Sequence, residues 1–172
     1  MGDPKNHQPL LDECRTIAEN CLYTAQAHYV MSKRAYWRGK VFLIIPSCVS
    51  AVAGILTAVG LPGWIGAFAA AAGLVSAVAS TLGVAEDESA HTSAGNLFTC
   101  LRHEARAIHE TFYPDLTHEQ LLSEVRRLSD RYNCLVQGTK STDDKSFTAG
   151  REKIRSGTFT PDFRETRDAE KR

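Results

Sequence analysis

The chain has 172 residues, with 20 Lys and Arg against 20 Asp and Glu, so its formal net charge is zero. That length suits one compact unit, and the charge balance excludes an overall field that would draw the chain to nucleic acid. Its five cysteines are scattered, odd in number and without a C-x-x-C pair, which excludes a disulfide framework and a zinc-ribbon pattern and fits buried free thiols in a reducing compartment.

Residues 1–9 are polar with two prolines and read as a flexible arm. The first apolar run comes only after a long polar stretch, so the pattern is not that of a secretory signal. From Leu10 the periodicity is helical. Leu11, Cys14, Ala18, Cys21, Ala25 and His28 recur at spacings of three and four, with Ile17 and Leu22 widening the stripe. This amphipathic helix is expected to run to about Lys40, with Gly39 as a possible hinge. Tyr29, Tyr36 and Trp37 suit either a membrane interface or ordinary packing.

From Val41 to Ala85 there is no Asp, Glu, Lys, Arg or His. A helix at a water surface needs one polar face, and no face here carries a charge. The run is too long for one span of about 20 residues and about right for two. Gly60-Leu61-Pro62-Gly63, near its middle, has turn chemistry. The expectation is an all-α fold: a transmembrane hairpin with spans at about 41–59 and 64–85, and a cytoplasmic bundle made by the flanking amphipathic helices. The first span holds Val41, Phe42, Leu43, Ile44, Ile45, Val49, Val52, Ile55, Leu56 and Val59. At about −0.3 to −0.6 kcal/mol each, they favour insertion by about 3–6 kcal/mol. The second span is richer in Ala, Gly and Ser and inserts with the first. The competing reading is a buried hairpin covered on all sides by the polar helices of a soluble protein.

Within the second span Ala69, Gly73 and Ala77 are spaced by four, as are Ser76 and Ser80 on a neighbouring face. Small residues at this spacing let helices approach closely in lipid, either within the hairpin or between copies. Ser47, Ser50, Thr57, Ser76, Ser80 and Thr81 are the polar residues at membrane depth. They either line a water path in an oligomer or hydrogen-bond their own backbone. Lys33, Arg34, Arg38 and Lys40 precede the first span, and the connection at 60–63 is uncharged. The positive flank favours the cytoplasmic side, so both termini are expected there in a multi-pass topology. Glu86, Asp87 and Glu88 follow the second span and meet Arg38 and Lys40 at the same interface.

A second amphipathic helix is expected beyond Glu88, with Ala90, Ala94, Leu97, Leu101, Ala105, Ile108 and Phe112 as its stripe, ended by Pro114. Thr117 and Gln120 have capping-box spacing. Leu121, Leu122, Val125, Leu128, Tyr132, Leu135 and Val136 then carry a third helix, with Gly138 as its stop. Residues 139–172 read as a polar tail. Arg151, Lys153, Arg155, Arg164 and Arg167 make it locally basic, without the aromatic interleaving of a nucleic-acid site.

His103-Glu104, His109-Glu110 and His118-Glu119 do not extend to H-E-x-x-H, and no nucleophile elbow or phosphate-binding loop is present. No catalytic residue, metal site or cofactor is read from the chain, and an enzyme is not expected.

Tyr23-Thr24-Ala25-Gln26-Ala27-His28-Tyr29 and Ser32-Lys33-Arg34, followed by two apolar spans and the helices at Leu97–Phe112 and Leu121–Leu135, resemble the SLATT domain. The resemblance covers residues 10–138. It implies a two-transmembrane effector of prokaryotic anti-phage systems, resident in the inner membrane. Such an effector assembles as a homo-oligomer and forms a pore or disrupts the bilayer on an infection signal. A sensor or nucleotide-signal-generating partner is implied with it. The alternative is a membrane-anchored scaffold or adaptor without conductance.

Overall fold

The computed structural model describes residues 7–60, 62–81 and 84–157. Residues 1–6 of the expected arm, Leu61 of the turn, Leu82 and Gly83 of the second span and residues 158–172 of the expected tail lie outside that description. The described chain is helical, with no strand among these residues. Its α-helices are α1 (Gln8–Gly39), α2 (Ile45–Ala58), α3 (Trp64–Thr81), α4 (Val84–Ala107), α5 (His118–Gly138) and α6 (Asp144–Arg155). The chain divides into two units. One is Met31–Ala90, and the other comprises the chain up to Val30 together with the chain from His91.

The second of these has a core contributed by α1, α4 and α5. Leu11, Cys14, Ile17, Ala18, Cys21 and Ala25 meet Phe98, Leu101, Ala105 and Ile108, and both meet Leu121, Val125 and Leu128. The α1 stripe is the one its spacing predicts. On α4 Ala94, Leu101 and Ala105 of the expected stripe are buried, as is Ile108 just beyond it, but Leu97 is exposed and Phe98 is fully buried in its place; Phe112, in the turn beyond α4, is exposed. Phe98 stacks on His28 of α1 with ring centroids 5.7 Å apart and meets Tyr132 of α5 edge-on at 6.3 Å. One ring therefore joins all three helices. Tyr29 donates to Asn96 Oδ1 at 2.9 Å, so this partly buried tyrosine packs against the core of the unit.

Helix ends follow local chemistry. Glu86 and Asp87 fall in the first turn of α4, where acidic groups complement the helix dipole, so α4 begins before Glu88 rather than beyond it. A wide π turn at Ile108–Phe112 and a tight 3-10 turn at Tyr113–Asp115 end this stretch, with Pro114 at the start of the tight turn. Thr117 and Gln120 cap α5 reciprocally: Thr117 N–H donates to Gln120 Oε1 at 2.9 Å, and Gln120 N–H to Thr117 Oγ1 at 3.3 Å. Gly138 is the last residue of α5.

The expected polar tail is only partly that. Asp143 caps α6 by accepting from Ser146 N–H at 2.8 Å. Ser146, Gly150 and Ile154, at four-residue spacing, are its buried face. At Gly150 a methyl group would stand 3.1 Å from Ala27 N, so glycine lets the α6 and α1 backbones approach. Ile154 is the one large apolar residue buried on this face, and Phe147 beside it adds a ring contact to Tyr23 of α1 with centroids 6.5 Å apart.

Of the cysteines, only Cys14 and Cys21 are buried, and Cys48, Cys100 and Cys134 are exposed. All five are free. Burial pushes the Cys14 thiol up to about 11 and the Cys21 thiol up to about 12, so neither is a ready nucleophile.

His28 and His91 are both buried, with their Nδ1 atoms 3.0 Å apart. One Nδ1–H must donate to the other ring's lone pair, so at least one imidazole is neutral. Burial, and secondarily the neighbouring His91, push His28 down to about 4. Its ordinary value is 6.5. Between these values the unfolded chain binds the proton and the folded chain resists it, so stability must fall as pH falls. Above the unfolded value the penalty is absent. From pH 7 to pH 4 such a group costs about 3 kcal/mol. Urea midpoints across this range should show that loss, and His28→Gln should flatten it.

Candidate membrane segment and helix-packing site

The unit Met31–Ala90 contains the uncharged stretch. The helix path from Gln8 to Ala58 is continuous, and part of it is long and apolar enough to cross a membrane; Trp64–Ser80 is a shorter apolar helix. Gly39 is ordinary right-handed helix, φ −56° and ψ −46°, and not a break. The irregularity lies after it, as a π turn over Lys40–Ile44 in which Ile45 N–H reaches back to Lys40 O. Pro46, at the start of α2, explains it. Proline has no N–H to give and its ring crowds the preceding turn, and widening that turn relieves both.

Hydroxyls gather beside this wide turn. Ser47 Oγ donates to Leu43 O at 2.7 Å, and Ser76 Oγ from α3 reaches the same carbonyl at 3.2 Å. The two hydroxyls are 2.8 Å apart. One turn further along α2, Ser50 Oγ donates to Ala69 O at 2.9 Å. Thr57 Oγ1 donates to Ala53 O at 2.9 Å. A methyl group at Gly73 would lie 3.6 Å from Ser50 Oγ, and one at Gly66 would lie 3.6 Å from Thr57 Oγ1. Four of the candidate hydroxyls are thus committed to carbonyls or to each other within this unit. Gly60, with φ +92°, makes the connection between α2 and α3 as its position predicts.

The structure therefore brings Ser47, Ser50, Ala69, Gly73 and Ser76 together where α2 meets α3. It leaves Ala77 and Ser80 exposed on α3, and the Thr81 side chain lies outside the description. The small-residue row Ala69–Gly73–Ala77 is consequently split. Its first two members face α2, and Gly66, which the four-residue rows passed over, joins them. The signal for Gly66 was available one turn before Ala69, but its spacing to that residue is three.

Around this contact the large apolar side chains point outward. Ile55 is 66% exposed, Val59 72%, Phe68 64% and Leu74 68%. Only Ala53 of α2 is buried. An apolar groove of about 520 Å³ runs past Phe42, Leu74, Val75 and Val78, with Arg38 and Asp87 on its border. Lys40 Nζ lies 4.5 Å over the Tyr36 ring, a cation–π contact, while Glu86 is exposed and Glu88 half-buried. Among the described residues no three His, Cys, Asp or Glu side chains converge as a metal site.

The fold and this segment define an all-helical protein with a helix long and apolar enough to span a bilayer. No family model, curated protein or solved structure matches the chain.

Proposed function

We propose that residues 41–59 and 64–85 form a two-span hairpin in the inner membrane, with both termini and the α1–α4–α5 core on the cytoplasmic side. The chain is then a membrane effector of the SLATT kind, which assembles into a homo-oligomer and opens or disrupts the bilayer when a sensor or signal-generating partner reports infection. One observation carries the reading. The α2–α3 contact consumes its polar atoms internally and turns its large apolar side chains outward. In water such a surface costs roughly 25 cal/mol per Å², whereas lipid tails accept it freely. At 1.5 Å per residue, the 18 residues of α3 reach about 27 Å, close to the bilayer core of about 30 Å. The charges at Lys33, Arg34, Arg38 and Lys40 support the orientation.

The same hydroxyl geometry favours a second reading, a membrane anchor that conducts nothing, because Ser47, Ser50, Thr57 and Ser76 already have partners within the unit. Dye release from vesicles separates the two. The full chain, reconstituted and challenged with its signalling partner, should release a small entrapped dye if it is an effector. Tight vesicles under those conditions, with the chain verified in the bilayer, would leave the anchor. Gly73→Leu does not discriminate, since Gly73 faces Ser50 and the substitution disturbs the hairpin itself. Ala77→Leu, on the exposed side, tests packing between copies without touching that contact.

A further inference from the structure

A second cavity, of about 500 Å³, lies among α1, α4 and α6 in the unit that holds Phe98. Its wall on α1 is apolar at Leu22 and Ala25. Tyr29 and Thr99 close one side, their hydroxyls 3.2 Å apart and already tied to Asn96 and to Gly95 O. Arg102 of α4 and Lys153 of α6 bring two positive charges to the rim, and none of the described lining residues is acidic. Gln26 is the group that points to a ligand. It is only 7% exposed, and its amide makes no hydrogen bond among the described residues. The amide is not sealed away either, so it opens on the cavity it lines. Buried amides are normally satisfied, and an amide offers both donors and an acceptor. The close approach of α6 at Gly150 to Gln26 and Ala27 fixes this arrangement and sets Lys153 one turn further along.

We propose that this cavity binds a small phosphate ester, with the phosphate held between Arg102 and Lys153 and the uncharged end of the molecule against Gln26 and the Leu22–Ala25 wall. The volume lies within the range of small-molecule sites, about 300–1,000 Å³. Two cations match a doubly charged phosphate. A guanidinium binds it through paired N–H groups and an ammonium as a point charge. The site belongs to α1, α4 and α6 alone, so it stands whether or not the hairpin lies in a membrane.

The test is calorimetric titration of the full chain in non-ionic detergent with phenyl phosphate, with phenol as the uncharged control. A parallel titration uses mixed micelles containing phosphatidylglycerol. Saturable binding of phenyl phosphate and not phenol, weakened by added salt, is expected. Lys153→Gln, an exposed change that leaves the fold intact, should weaken it about tenfold, and Gln26→Leu about fivefold. Arg102→Gln together with Lys153→Gln should abolish it. If only the phosphatidylglycerol micelles bind, and the same variants weaken that binding, the phosphate comes from a lipid headgroup and the site stands. Absence of binding by both, or equal binding by Lys153→Gln, Gln26→Leu and the unchanged chain, overturns the proposal. Circular dichroism of each variant distinguishes loss of the site from loss of the fold.

Discussion

Phe98→Ala should lower stability by about 3–5 kcal/mol, the usual cost of emptying a buried aromatic site. Phe98 has no exposed surface and holds the ring of His28 on one side and that of Tyr132 on the other. Removing it opens space inside the core that α1, α4 and α5 share, and these helices have no disulfide to hold them. Single domains have about 5–15 kcal/mol in total, so this is a large fraction. The melting temperature of the helical signal should fall by roughly 6–20 °C. Phe112→Ala is the control. Phe112 is exposed, and its loss should register within about 0.5 kcal/mol. Equal effects at the two positions would mean that α4 presents the face read from Leu97 and Phe112 after all.

The paired substitution Val52→Arg and Ile55→Arg should expel the hairpin from the membrane. Both side chains are more than half exposed on α2. Near the centre of a spanning helix each arginine costs about 2.5–3.5 kcal/mol, so the pair costs about 5–7 kcal/mol against an insertion gain of about 3–6 kcal/mol. The protein should leave the alkali-resistant membrane fraction, while Val52→Leu with Ile55→Leu should stay. If this surface faces water instead, the arginines replace exposed apolar groups at a cost within about 0.5 kcal/mol each. The double variant would then fractionate as the parent does and gain solubility. The two settings predict opposite results from one measurement.

Much of the architecture is legible in the residues. The spacing of Leu11, Cys14, Ala18, Cys21, Ala25 and His28 identifies the buried face of α1, and all six are buried. Thr117 and Gln120 announce the start of α5, and Gly60 the turn after α2. These features depend on groups three or four residues apart, so local sequence contains both partners of each interaction. The absence of charge from Val41 to Ala85 is legible in the same way, being a property of composition over a length.

What local spacing leaves open is which of two neighbouring faces a distant helix covers. Leu97 and Phe98 both fit a stripe through Ala94 and Leu101, and only the positions of His28 and Tyr132 select Phe98. α6 looks like tail because Ile154 is its one large buried apolar residue, and its docking depends on Ser146 and Gly150 being small where α1 passes. The sequence by itself determined the buried face of α1, the start and cap of α5 and the long uncharged stretch, because each rests on residues close together along the chain. Tertiary structure alone decided the buried His28–His91 pair, the split of the Ala69–Gly73–Ala77 row and the cavity around Gln26. In each case the deciding contact comes from a helix many residues away in the chain.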